Sequence, residues 1–139
     1  MTITLKTSVR VSSPELRKFA PPSMANFADQ LDPAQGNIFN DLTSGCVGGT
    51  SITGPSRARA AGRDLVISGS ADRIGLLTVE CSLDGGATWP VSDSERIPGS
   101  EAVVARAVLG ASYTHYRIRF SADAGHSSSR VNFFTQART

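Results

Sequence analysis

An all-β fold is what this sequence of 139 residues predicts: an antiparallel β-sandwich, or barrel-like sandwich, with an extended and largely irregular N-terminal arm. Three observations predict it. From Gly62 onward, short apolar-rich runs recur with turn residues between them, the spacing of an antiparallel all-β protein. Within the runs apolar and polar residues alternate, as in Tyr116-Arg117-Ile118-Arg119-Phe120, which is the period of a half-buried strand. Thirteen Gly and seven Pro, with many Ser and Thr, favour turns and extended segments over long helices.

Taken in order, residues 2–11 alternate with Ile3, Leu5, Val9 and Val11 on one side, a strand pattern. Residues 14–20 have the start of a short helical turn, with Ser13 as N-cap and Pro14 at the first helical position, and Pro21-Pro22 ends it. Residues 24–31 are a second short helical candidate, and residues 33–43 are mixed. Residues 44–51 are small, polar and Gly-rich, and read as a flexible loop. This divides the chain into an arm, residues 1–61, and a β domain, residues 62–139. So much irregular chain beside a compact domain points to contacts with neighbouring subunits, although an arm wrapped on its own sandwich meets the same pattern. In the β domain, strands are expected at 64–70, 76–83, 101–109, 113–121 and 129–135. Turns are expected at 84–86, 98–99, 109–111 and 122–125.

The most specific stretch is Ser82-Leu83-Asp84-Gly85-Gly86-Ala87-Thr88-Trp89, which holds the one Trp of the chain. An Asp-Gly pair after an apolar run is a strong hairpin signal, because Gly takes positive φ without steric cost. The Asp84 carboxylate is expected to accept hydrogen bonds from backbone N–H groups just downstream, the Ser82 and Thr88 hydroxyls to add weaker ones, and Trp89 to bury its indole. The wording resembles the Asp-box, Ser-x-Asp-x-Gly-x-Thr-Trp, at every specified position, and that resemblance implies a stabilised hairpin rather than a chemistry. Asp-boxes recur in sialidase-like propellers, but a blade needs about 40–50 residues and the fold several blades. One motif copy in 139 residues leaves no room for that fold.

Composition narrows the function classes. Fourteen basic against twelve acidic residues leave +2, too little to predict a polyanion partner. Arg57-Ala58-Arg59-Ala60-Ala61-Gly62-Arg63 could meet phosphates, but no aromatic residues interleave to stack bases, so no nucleic-acid partner is expected. No apolar run reaches the roughly 18 residues of a transmembrane helix, and no secretion signal is visible, so no membrane partner is expected. Cys46 and Cys81 are the only cysteines; two free thiols are expected, with a disulfide left open. His115 and His126 lack a nucleophile–acid arrangement, no Ser sits in a Gly-x-Ser-x-Gly elbow, and no close metal-ligand spacing is present. No catalytic residue, cofactor or metal is therefore expected. Arg117 and Arg119 lie on the polar side of their strand, with Glu101 or Ser129 as candidate cross-strand partners.

The segment from Tyr113-Thr114-His115-Tyr116-Arg117-Ile118-Arg119-Phe120-Ser121 through Arg130-Val131-Asn132-Phe133-Phe134-Thr135, read as a final hairpin, is similar to the close of small virion proteins of tailed bacteriophages. Those chains also often carry a Ser-x-Asp-Gly-x-x-Trp hairpin earlier. The resemblance covers roughly residues 64–135, and departs from the pattern at Ala122-Asp123-Ala124-Gly125-His126, where a simple Asn-Gly turn is usual. It implies a non-enzymatic β-sandwich of the virion, made in the host cytoplasm. The leading expectation is a capsid decoration (cement) protein, trimeric, bound to the major capsid protein or other virion proteins. The alternatives are a tail or baseplate subunit, and a carbohydrate-binding module stacking sugars on Trp89, Tyr113 and Tyr116. Expected site residues are the structural hairpin Ser82, Asp84, Gly85, Gly86, Thr88 and Trp89, and the candidate interface residues Arg17, Phe19, Phe27, Arg57, Arg59 and Arg63.

Overall fold

The computed structural model describes residues 5–11, 38–58, 64–108, 112–125 and 128–138. All regular structure among them is β. The strands are β1 (Leu5–Val11), β2 (Ile38–Leu42), β3 (Gly45–Val47), β4 (Ser51–Thr53), β5 (Arg57–Ala58), β6 (Asp64–Ala71), β7 (Gly75–Ser82), β8 (Val91–Ile97), β9 (Glu101–Val108), β10 (His115–Ala122) and β11 (Ser128–Arg138). They build two antiparallel sheets. The first runs β1-β9-β6-β11-β2, with β3 also on β11; the second runs β4-β10-β7-β8, with β5 also on β10.

The alternating pattern sets the packing. Leu65, Ile67 and Ala71 of β6, Val103, Ala105 and Ala107 of β9, and Val131 and Phe133 of β11 form one wall of the core. Leu77, Val79 and Cys81 of β7 and Tyr116, Ile118, Phe120 and Ala122 of β10 form the other. The Phe120 and Phe133 rings stack across the interior, centroids 6.1 Å apart. Removing this apolar area from water is the main force holding the sheets together. β6 is buried on both faces, since Val66 and Ser68 are as inaccessible as Leu65 and Ile67; its sequence accordingly reads as a run of small and apolar residues rather than a strict alternation.

Chain order and sheet order interlock. β6 pairs β9 in one sheet, while β7 pairs β10 in the other. Only β7 and β8 form a sequence-local hairpin among the five strand pairs that follow one another from β6 to β11; the other connections cross from sheet to sheet. The close of the chain is one of these crossings. β10 belongs to the second sheet and β11 to the first, so residues 113–135 are not the hairpin that their sequence suggests. Each strand has one apolar face, and both faces are buried together when the chain arches over the core.

Several expectations need correction. Strands are found at all five expected places in the β domain, but β8 (Val91–Ile97), which is rich in Ser and acids, was not expected. Residues 38–43, expected to be mixed, hold β2, residues 44–51, expected to be a flexible loop, hold β3 and the start of β4, and residues up to 58 complete β4 and β5; all four strands pair with β10 or β11. β1 pairs with β9. The boundary at 61/62 therefore does not divide the fold, because its N-terminal side supplies strands to both sheets. The helical candidates at 14–20 and 24–31 and the turn at 109–111 lie outside the described residues. Both cysteines are free and buried, and burial pushes the Cys81 thiol up to about 12.

Candidate functional site

The Ser82–Trp89 loop joins β7 to β8, and its residues do what their types suggest. Gly85 and Gly86 both take positive φ, 78° and 96°, so the turn depends on glycine there. Ser82 Oγ donates to Asp84 Oδ1 at 2.7 Å and accepts from the N–H groups of Gly86 and Asp84 at 2.8 and 3.2 Å. Asp84 Oδ1 also accepts from the Thr88 N–H at 2.9 Å, and Oδ2 from the Thr88 hydroxyl at 2.6 Å. Those bonds favour the charged form, so the Asp84 carboxyl is pulled down to about 2, first by the Thr88 hydroxyl, then by the Thr88 N–H and the Ser82 hydroxyl. Thr114 ties the loop to β10: its Oγ1 accepts from the Gly85 N–H at 3.0 Å, and its own N–H donates to the Ser82 carbonyl at 2.9 Å.

Trp89 is not a core residue, contrary to expectation. It is half-buried against the outer face of the second sheet, with the Arg117 guanidinium 4.3 Å from its ring centroid, a cation–π arrangement. The indole follows a polar turn at the sheet's rim, so the nearest surface it can cover is the outer one. Arg117 Nε donates to Glu80 Oε1 at 3.0 Å, and Arg119 Nη1 lies 3.9 Å from Glu80 Oε2. Glu80 is thus the partner of both arginines, rather than Glu101 or Ser129, because the register places Glu80 opposite Arg117 and Thr78 opposite Arg119. Thr78 and Ser94 share a hydroxyl bond of 2.7 Å beside them, and Ser51 and Ser121 another of the same length. Arg96 pairs with Asp123 at the far end.

Arg57, a candidate interface residue, is engaged inside the chain. Between Asn40 and Leu42 the β2–β11 register slips, and this β-bulge turns the Asp41 carboxylate toward the interior. Arg57 donates from Nε and Nη2 to Asp41 Oδ1 at 2.9 and 2.7 Å, and its guanidinium lies 3.9 Å from the Phe39 ring centroid. Asp41 Oδ2 accepts from the Thr135 hydroxyl at 2.7 Å, and Thr135 Oγ1 lies 3.2 Å from the Tyr116 hydroxyl. This network joins β2 and β11 of the first sheet to β5 and β10 of the second, and fastens one side of the sandwich. Burial pushes the Tyr116 phenol up, against the Thr135 bond. No sequence signal marks Asp41, since a bulge leaves no pattern until its partner strand is known.

Arg17, Phe19, Phe27, Arg59 and Arg63 lie outside the described residues. Tyr113 and Tyr116 are buried, which leaves Trp89 as the one accessible ring of the three considered for sugar stacking. His115 Nδ1 lies 3.1 Å from Thr114 Oγ1. Among the described residues no group of His, Cys, Asp and Glu could hold a metal ion, and no helix is long and apolar enough to cross a membrane. No family model and no curated protein matches the chain.

Proposed function

We propose that the chain is a non-enzymatic structural protein of a tailed-bacteriophage virion, a decoration protein that binds the assembled capsid and stabilises the shell. The observation that carries this reading is the outer face of the second sheet. There, Trp89 from the β7–β8 loop lies against Arg117 of β10, and both are residue types that dominate binding hot spots. The motif's carboxylate is meanwhile bound by its own turn. The sandwich and the Ser82–Trp89 hairpin also agree with the likeness to small virion proteins. The mechanism is linkage. A protein that binds only the assembled shell lowers the free energy of that state, and subunits separate less readily. Binding as a trimer would strengthen the effect by making later contacts intramolecular.

Immunogold labelling of virions from the phage that encodes the chain, with antibody against the recombinant protein, tests this. Label over the head is expected, together with a capsid melting temperature that rises when purified protein is added back to depleted particles. Label confined to the tail or baseplate would replace the decoration role by the tail role. Absence of label, or glycan-array binding lost in Trp89→Ala, would overturn the virion reading.

A further inference from the structure

The ion pairs on the outer face of the second sheet share one orientation. The Glu80 side chain is 10 % exposed, whereas Arg117 and Arg119 above it are 29 % and 38 % exposed. Arg96 is 58 % exposed and its partner Asp123 27 %. In every pair the carboxylate lies beneath and the guanidinium outside. An approaching surface therefore meets cations first, although the formal charges of the face nearly cancel. Among the described residues, the other titratable groups beside it include His115 at the start of β10 and Asp84 in the loop, the latter already held by Thr88 and Ser82. Asp93 and Glu95 alternate to the opposite side of β8, with Val91 and Ile97.

Two features make the face suited to binding. Arg117 is held between the Glu80 carboxylate and the Trp89 ring, so little side-chain freedom remains to be lost when a partner arrives. Arg119 is under-satisfied: its Nη1 is beyond hydrogen-bond reach of Glu80, whose other oxygen is held by Arg117, and its Nε is buried without an acceptor, which leaves the outer end of the guanidinium to meet a partner. A guanidinium in that state accepts a second carboxylate readily, as a planar fork of donors. The exposed hydroxyl residues Ser51, Thr53, Ser92 and Ser94 around it are small and leave room for a flat approach.

We propose that this face docks an acidic protein surface, with Arg119 and Arg96 receiving carboxylates of the partner and the Trp89–Arg117 pair forming the desolvated centre. A nucleic-acid backbone suits it less, because phosphate tracking needs a run of uncompensated cations, and here each guanidinium has a carboxylate under it. The proposal rests on the assembly reading only in taking the partner to be a protein.

Trp89 is the single Trp of the chain, so its emission reports directly on this face. The full-length protein is titrated with a glutamate-rich peptide, and for comparison with a lysine-rich peptide of equal length and a single-stranded DNA oligomer. A saturable change in emission with the glutamate peptide is expected, weakened by salt. Arg119→Gln and Arg96→Gln should each weaken it, roughly tenfold for Arg119→Gln, with partial recovery in Arg119→Lys. No response in the wild type, an unchanged response in Arg119→Gln, or a stronger response to DNA or to the lysine peptide overturns the proposal. Virion binding that persists in the Arg96→Gln/Arg119→Gln double variant also overturns this face and leaves the capsid reading standing. Absence of the wild type from virions overturns the capsid reading, and the peptide titration still decides the face.

Discussion

At the scale of single residues, the chain uses its carboxylates as structural acceptors. Asp84 is held ionised by three short-range donors, its carboxyl lowered from 3.8 to about 2. A carboxyl depressed in the folded state adds stability above its unfolded value and loses it as pH falls through the folded one. Asp84→Asn should therefore lower the melting temperature at neutral pH, and the gap from wild type should close as pH falls from about 4 to 2. Thermal unfolding followed by circular dichroism at several pH values measures this; a gap independent of pH would mean that charge plays no part. Asp41 is a harder case for the fold. Its side chain is fully buried, bound to Arg57 and Thr135, so Asp41→Ala leaves a half-buried cation without its partner. A loss on the order of 3 kcal/mol is expected in urea unfolding, with Asp41→Asn less costly because an amide oxygen still accepts from Thr135. The turn around Asp84 was legible in the sequence because all its donors lie within a few residues. The Asp41 network was not, because its members are brought together only by a bulge and by strands far apart in the chain.

At the scale of elements, close approach and edge protection explain residues that pattern alone does not. Gly69 of β6 faces β11 so closely that a Cβ would run into the Asn132 carbonyl oxygen and lie 2.7 Å from Phe133 Cα. These are backbone atoms and cannot turn aside, so Gly69→Ala should cost about 1–3 kcal/mol through displaced strands, read as a lower urea midpoint. β8 shows the second principle. It is the outermost strand of the second sheet, yet its inward-facing positions include Asp93 and Glu95, and Glu95 Oε2 is buried without a hydrogen-bond partner. Inward acids on an edge strand discourage pairing with another chain. Glu95→Val should thus leave the fold as stable or more so while raising its tendency to aggregate, measured by light scattering against concentration. A variant that stays as dispersed as the wild type would remove that role from Glu95. The same acids hid β8 from the sequence reading, because they interrupt the apolar alternation. β6, β7, β9, β10 and β11 were readable, since each has a row of apolar residues on the core side. Which of them pair was not readable: the β10–β11 arch and a hairpin bury the same residues locally, and only the second sheet distinguishes them.

At the scale of the whole molecule, residues 38–58 act as the closing seam of the sandwich. β2 and β3 lie on β11 and β4 and β5 on β10, so one continuous segment lines the same side of both sheets. The Cys46 thiol at its middle is 3.3 Å from the Thr50 carbonyl oxygen, and the Thr50 hydroxyl donates to the Val47 carbonyl at 2.7 Å, which fixes the crossing. On the opposite side β1 lies on β9 at the edge of the first sheet. A truncation that treats residues 1–61 as a detachable arm would therefore remove β1 to β5 together. It would strip Leu42 and Cys46 from the core and Ile52 from its margin, at about 2–5 kcal/mol for each large apolar side chain. It would also leave the Thr135 hydroxyl, which lies beside that of Tyr116, without its Asp41 acceptor, and expose the backbone edges of β9, β10 and β11 to other chains. Against a total stability of about 5–15 kcal/mol for a domain of this kind, that sum approaches the whole. The fragment 62–139 is expected to aggregate or to lack a cooperative thermal transition, checked by size-exclusion chromatography with light scattering and by far-ultraviolet circular dichroism. A soluble fragment that unfolds cooperatively within a few degrees of the full chain would show that the seam is dispensable. The contacts with partner subunits that the sequence leads one to expect for the N-terminal region are accordingly better probed by Arg17→Ala, Phe19→Ala and Phe27→Ala in the full chain, where a change in oligomeric state without a change in melting temperature would separate an interface from the fold.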